Sequence, residues 1–345
     1  MLPFVSVIVI TKNNLGTIER CVSNLLQQNY PKELYEIIFV DGNSSDGTLE
    51  ILMKYMQTHS TPSIRIYTEN VGTMGYARNL GITKAKGDIL AFIDGDAYPT
   101  SNWLTDIVKN FMDCPNLAMV GGLDVLTFQD SARDIISSWR RLKKSWGIKA
   151  VSKIRTVNFA IKRDVITVCG GFDPKLSHFD EAELMARLFF KRNVREVLYD
   201  PSIIVFHQRG KSGLISRIRK TFNKTVIGVP VLFRTHMIRL ALSNPLSTVC
   251  TSLFFVPASL LSLFVLFLMV LGVFPIEYFL YLLILVVILI LVYMINMKRF
   301  TGKFVPKVFF ILALDCFVRV VGTLFGLIRW LSLSIIAKFK NLYNK

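Results

Sequence analysis

Acidic residues are nearly absent from the carboxyl-terminal part of this 345-residue chain. From Pro201 onward only Glu277 and Asp315 carry negative charge, against 17 Lys and Arg. Of the chain's 41 basic and 24 acidic residues, that leaves 24 and 22 in the first 200, which are close to neutral. A net charge of +17 spread evenly would point to nucleic acid. Here the basic excess borders apolar runs, which fits an anionic lipid surface and excludes a nucleic-acid partner. Cysteine is also sparse. Cys21, Cys114, Cys169, Cys250 and Cys316 are scattered, with no pair at zinc or redox spacing, so a disulfide frame is not expected. Internal repeats and low-complexity tracts are lacking. A signal peptide is not expected either, because Phe4–Ile10 is apolar but too short and no basic residue precedes it. The amino-terminal domain is therefore expected in the cytosol.

Hydrophobic residues make up 52% of the chain, and they cluster. Val5–Ile10, Glu36–Val40, Ile64–Thr68 and Ile89–Ile93 read as short strands. Ile18–Gln28, Thr48–His59 and Tyr76–Ala85 between them have helical period. Strand alternating with helix predicts a mostly parallel sheet with helices on both faces. Further on, Leu117–Leu126, Val157–Arg163 and Ser202–His207 read as strands, with helical segments at Ser131–Trp146 and Glu181–Arg192. This α/β domain is expected to span residues 1–208.

Residues 209–244 are expected to form a basic amphipathic region at a membrane interface. Ile215, Ile218, Phe222 and Val226 share one helical face there, with Arg217, Lys220 and Lys224 opposite. Pro245–Phe274 and Tyr278–Met297 hold no charge, and each exceeds the roughly 20 residues needed to span a bilayer core. They predict a transmembrane hairpin over 245–297. Lys298, Arg299, Lys303 and Lys307 mark the following loop as cytoplasmic. Val308–Ala337, in the last region, 298–345, either spans or re-enters, and Asp315 and Arg319 are spaced to pair within it. The chain is therefore expected in the cell membrane, multi-pass, with its first domain cytoplasmic.

In a parallel sheet, ligands gather beyond the carboxyl ends of the strands. Thr11 with Asn13, Asp41, Glu69 with Asn70, and Asp94 with Asp96 occupy four successive strand ends. The stretch ILAFIDGDAYP, Ile89–Pro99, places Asp94 and Asp96 one glycine apart just where a buried strand runs out. Carboxylates do not belong in such an interior. Their spacing suits either a turn or a site for a hard cation or hydroxyl groups.

Four segments occur in a particular order: VSVIVITKNN, IIFVDGNSSDGT, ENVGTMGYARNLGITKAKGDILAFIDGDAYP and CGGFDPKLSHFDEAELMARLFFKR. On these, the first 208 residues or so resemble a family 2 glycosyltransferase of the GT-A fold, a Rossmann-like α/β architecture. The resemblance implies that Asp94 and Asp96 are the DxD pair, which binds a nucleotide sugar through its ribose and a divalent ion, Mg²⁺ or Mn²⁺. Asp96 is then the metal ligand, and Asp94 faces the ribose or the metal. It places Thr11, Asp41, Arg78 and Asn79 with the donor: Asp41 at the base, and Arg78 and Asn79 near the ribose and phosphates. A helix-surface cation is the alternative for Arg78. The family's acceptor-side base corresponds to Asp180-Glu181. Register points to Glu181 and chemical type to Asp180; both could instead be carboxylates at a helix start. His207 is either a third metal ligand, a group facing the diphosphate, or structural. Arg209 and Lys211 could clamp the diphosphate. The QxxRW motif of processive synthases is absent, since LIRW at Leu327–Trp330 lacks the glutamine.

Taken with the apolar segments, the resemblance implies a membrane-bound, inverting, metal-dependent transferase. Such an enzyme is expected to move one sugar from a nucleotide-sugar donor to a hydroxyl of a lipid-linked glycan or glycolipid. A polyprenyl-phosphate acceptor is the alternative, and a catalytically inactive membrane scaffold is a third. A nucleotidyltransferase would show an early glycine-rich, basic phosphate loop, and TKNNLGT is not one.

Overall fold

A computed structural model describes residues 1–126, 144–151, 153–176, 180–194 and 196–208. The chain divides into two units, Met1–Lys211 and Ser212–Lys345, and every described residue lies in the first. The interfacial region, the hairpin, the third apolar segment, Arg209 and Lys211 lie outside the described residues. Among the described residues, no helix is long and apolar enough to cross a membrane.

Four parallel strands carry the first half: β1 (Val5–Thr11), β2 (Tyr35–Asp41), β3 (Ser63–Thr68) and β4 (Ile89–Asp94), side by side in the order β3-β2-β1-β4. β2 is buried along its whole length, as expected for a parallel strand covered on both faces. The crossovers hold α1 (Ile18–Leu26), α2 (Thr48–Thr58) and α3 (Met74–Lys84). In α1 the buried positions are Ile18, Cys21, Val22 and Leu25, the stripe that a helix of 3.6-residue period lays on a sheet.

The second half turns the sheet back on itself. After β4 come β5 (Ala97–Pro99), α4 (Trp103–Asp113), β6 (Met119–Leu126), β7 (Ser145–Trp146), β8 (Phe159–Lys162) and β9 (Val197–His207). The strand order continues β4-β8-β6-β9-β5, with β7 also on β9. β8 is antiparallel to both β4 and β6, while β6 and β9 run parallel. β5 follows β4 by two residues but pairs with β9, so the chain must turn sharply at Gly95-Asp96. Phe92 and Phe159 stack with ring centres 4.7 Å apart, and Phe172 meets Phe92 edge-on at 5.7 Å.

Several segments differ from the sequence expectation. Ser145–Trp146, expected to end a helix, is a strand, because its backbone pairs with Tyr199 and Leu198 of β9; residues 131–143 lie outside the described set. The helix expected over Glu181–Arg192 is an α-helix at Asp180–Ala186 continued by a π-turn at Arg187–Lys191. The strand expected over Val157–Arg163 is shorter, since Arg163 opens a helix ending at Cys169. The last strand starts five residues earlier than expected, at Val197.

Asn158 fastens the irregular part of this half. Its fully buried amide donates to the carbonyls of Leu123 and Ile203, both at 2.9 Å, and accepts from the Trp103 indole at 2.8 Å. It does so where the β6–β9 register slips between Gly121 and Leu123. A Cβ on Gly122 would come within 2.1 Å of the Ile203 carbonyl oxygen and 2.6 Å of the Asn158 amide nitrogen, so the strands close up only over glycine. Asn158→Ala removes three hydrogen bonds and strands three buried partners, which should cost about 2–4 kcal/mol of stability. Chemical unfolding of the full chain should show the loss, and an unchanged midpoint would rule the stitch out.

Candidate active site

β1 lies between β2 and β4, so crossovers leave it in opposite directions and a crevice opens at the carboxyl ends of the strands. Thr11 ends β1 opposite Asp41 of β2, and Ile10 lies opposite Asp94 of β4. The loops after β1 and β2 are laced together across this edge. Asn13 N–H donates to Ser44 Oγ at 2.8 Å, Asn14 N–H to Thr48 Oγ1 at 2.8 Å, and Leu15 N–H to Asp46 Oδ2 at 2.9 Å. Asp46 also accepts from the Thr48 hydroxyl, the largest of the hydrogen bonds that hold its carboxyl below the usual range. Asp41 is fully buried, and its carboxylate accepts from Ser44 N–H at 2.7 Å and Ser44 Oγ at 2.5 Å.

The Asp94-Gly95-Asp96 spacing makes a turn that leaves both carboxylates close to His207. Gly95 N–H donates to the Ile10 carbonyl at 2.9 Å. A Cβ on Gly95 would stand 2.7 Å from Thr11 Oγ1 and 3.1 Å from Asn14 Oδ1. Thr11 Oγ1 is itself hydrogen-bonded to Asn14 Oδ1 at 2.8 Å, so neither group can easily yield. Beyond the turn, Asp96 C=O accepts from Gln208 N–H at 2.7 Å, and Asp96 Oδ1 lies 3.1 Å from His207 Nε2. Ligand atoms of Asp94, Asp96 and His207 all lie within 4.8 Å of one another. Two carboxylates suit Mg²⁺ or Mn²⁺, and the imidazole shifts the preference of the set toward a transition ion.

On the other side of Asp94 stands Arg78 of α3, which is 2% exposed. One guanidinium arm forms a close ion pair with Asp180 Oδ2, and the other lies 3.4 Å from Asp94 Oδ1. Lost hydration raises the Asp94 carboxyl although a quarter of its side chain stays open; Arg78 opposes that rise and Asp96 adds to it. Burial likewise raises Asp180, against the pull of Arg78. Glu181 is only partly buried, and its Oε2 accepts from both the N–H and the hydroxyl of Thr156 at 3.0 Å. It is close enough for its charge to act on Asp94 and Arg78.

The structure thus brings Asp94, Asp96 and His207 together and links them through Arg78 to Asp180 and Glu181. Thr11 abuts Gly95 at this turn, and Asp41 ends the strand beside it. Asn79 goes elsewhere. Its amide donates to Phe172 C=O and accepts from Phe172 N–H, both at 2.8 Å, so it holds the 170–172 loop instead of facing a donor. Sequence reasoning misses Thr156, Asn14 and Phe172; Thr156 and Phe172 lie in connections without a periodic pattern. A cavity of about 650 Å³ bordered by Pro3, Ile89, Phe111 and Lys162 lies where β1 and β4 begin, at the opposite end of the sheet from this cluster.

An α/β sheet with a switch in strand order, and an Asp-Asp-His cluster at the carboxyl ends of its strands, has the layout in which open α/β sheets collect ligands. Residues 6–126 match the family Glycosyl transferase family 2. Glycosyltransferase AglE of Haloferax volcanii is 34% identical over 173 residues, covering 50% of this chain and 56% of that protein. A Methanococcus voltae protein is 36% identical over 124 residues, covering 35% and 39% respectively. Its name is dolichyl N-acetyl-alpha-D-glucosaminyl phosphate 3-beta-D-2,3-diacetamido-2,3-dideoxy-beta-D-glucuronosyltransferase. The chain thus spans roughly half or less of the length of these relatives. Among solved structures, a mannosyltransferase from Pyrobaculum calidifontis, in complex with GDP-Man and Mn²⁺, superposes with a TM-score of 0.54 at 23% identity. That superposition covers 69% of this chain and 64% of the other. This likeness shows the fold, a GT-A-type α/β domain.

Gly95→Ala should displace Thr11 or the turn and thereby shift Asp96 against His207. Disturbing the support of a ligand set weakens metal affinity about 10- to 100-fold, and Mn²⁺ titration of the full chain should show it. Parental affinity in the variant would mean that the turn does not set the cluster.

Proposed function

We propose that this chain is a metal-dependent, inverting glycosyltransferase that moves one sugar from a nucleotide-sugar donor to a hydroxyl of a lipid-linked acceptor. In this reading it works at the cell membrane with the described domain on the cytoplasmic side. The observation that carries the proposal is the joining of the Asp94–Asp96–His207 cluster, through Arg78, to the Asp180-Glu181 pair. A donor-side cation site and an acceptor-side carboxylate so joined fit a displacement between two bound substrates. The names of the relatives support glycosyl transfer, and the Methanococcus voltae name supports an acceptor that is already lipid-linked.

Each residue has a role in this mechanism. Asp41, fully buried and held by both donors of Ser44, shapes the loop after β2 on which the donor's base rests. Asp94, Asp96 and His207 would hold Mg²⁺ or Mn²⁺, and the bound ion would supply positive charge beside the departing nucleoside diphosphate. A sugar hydroxyl is a poor nucleophile and needs a base within hydrogen-bond reach. Glu181, oriented by Thr156, removes that proton. Asp180 is unsuited to the task, being buried and committed to Arg78. The oriented Glu181 also favours a hydroxyl over a lipid phosphate, which is already ionised and needs no base.

Purified full chain, screened against nucleotide sugars with Mn²⁺ and lipid-linked acceptors, should give a product heavier by one sugar and no longer series. Excess chelator should stop turnover; full activity in chelator would refute the metal role. Glu181→Gln should cost roughly 10²–10⁴ in turnover with nucleotide affinity nearly unchanged. If that variant keeps most of its rate, the acceptor is a lipid phosphate and the base assignment is wrong.

A further inference from the structure

A guanidinium as deeply buried as that of Arg78 is costly unless carboxylates face it. Two do. One arm is on Asp180 and the other on Asp94, while the guanidinium carbon lies 5.4 Å from the centre of the Phe172 ring. Burial alone would depress this cation, and Asp180, Asp94 and Glu181 outweigh that effect. The next residue, Asn79, grips both backbone groups of Phe172. One turn of α3 therefore fixes the end of β4, the start of the Asp180–Ala186 helix and the loop at Phe172.

We propose that Arg78 is a positioning residue of the transfer reaction and not a donor contact. Its forked guanidinium sets the separation between Asp94, at the cation site, and the helix start that carries Glu181. The inference rests on the proposed glycosyl transfer, and it departs from the donor-side role that sequence resemblance implies. Both terminal nitrogens face carboxylates, and almost none of the residue's surface is open to a ligand. The planar fork is also what the place requires, because a lysine ammonium is a compact charge without the fork that spans two carboxylates.

Arg78→Lys keeps the charge and loses the span. In the full chain, kcat should fall about 10- to 100-fold, the range expected when reacting groups are misplaced by an ångström or so. Affinity for the donor nucleotide diphosphate at saturating Mn²⁺, where excess cation offsets any shift of Asp94, should change by less than about threefold when measured separately by calorimetry, the mark of an interaction outside ground-state binding. A loss of nucleotide affinity in step with kcat would put the guanidinium on the donor and overturn the proposal. The bridge can also be read without any substrate. Arg78→Lys and Asp180→Asn remove the same contact, so their unfolding midpoints should fall by less together than the sum of the single shifts. Additive shifts would overturn the bridge. A coupled pair in a protein that transfers no sugar would instead refute the proposed function and leave the bridge standing.

Discussion

Burying a positive charge in a protein interior obliges the surrounding chain to supply negative charge, and here that obligation organises the crevice. Arg78 sits on a helix whose neighbours are the central strands, so its partners must come to it. Asp94 arrives from the end of β4 and Asp180 from a helix start more than eighty residues later. Breaking such a pair on one side leaves an uncompensated buried charge, which is among the larger penalties a single residue can incur. The two halves of the domain are thus tied beside the Asp94–Asp96–His207 cluster.

The second tie is the curl of the sheet. β5 leaves β4 after two residues and pairs with β9, which returns His207 to within reach of Asp96. That return depends on an antiparallel β8 inserted beside β4 and on a slipped β6–β9 register that tolerates only glycine at position 122. Irregular pairing of this kind leaves backbone groups unmatched, and the Asn158 amide satisfies them. The local rule-breaking of the second half is what lets an otherwise plain parallel sheet assemble a three-residue cluster.

The first half is legible in the sequence because its signals are local. Four apolar, β-branched runs separated by helical periods identify β1–β4, and the polar residues that end them follow from the alternation alone. The second half is set by pairing at a distance. β7 is two residues long and β5 three, too short for any periodicity. α4 does have a readable stripe at Trp103, Ile107 and Phe111, obscured by the loosening pattern around it. Asp94 and Asp96 stand out in a sequence because carboxylates interrupt an apolar run. That His207 joins them requires the curl. Register and residue type disagree over Asp180 and Glu181, and burial separates them: one is consumed by Arg78, the other is held at the rim by Thr156. The adjacent Arg78-Asn79 pair reads as one motif yet faces two ways, as successive positions on a helix must.

The two sides of the crevice are held by different materials. Around Gly95 the frame is main chain: the Gly95 amide on Ile10, the Gln208 amide on Asp96, and strand pairing immediately before and after. Such a frame asks of its side chains chiefly that position 95 carry no Cβ. The helix start is moored through its own side chains, Asp180 on the Arg78 guanidinium and Glu181 on the hydroxyl and N–H of Thr156. A buried side-chain mooring changes only when both partners change together, whereas a backbone frame can only be kept or lost. Divergence on the carboxylate side should therefore come in paired changes, while the Gly95 turn is kept or lost whole.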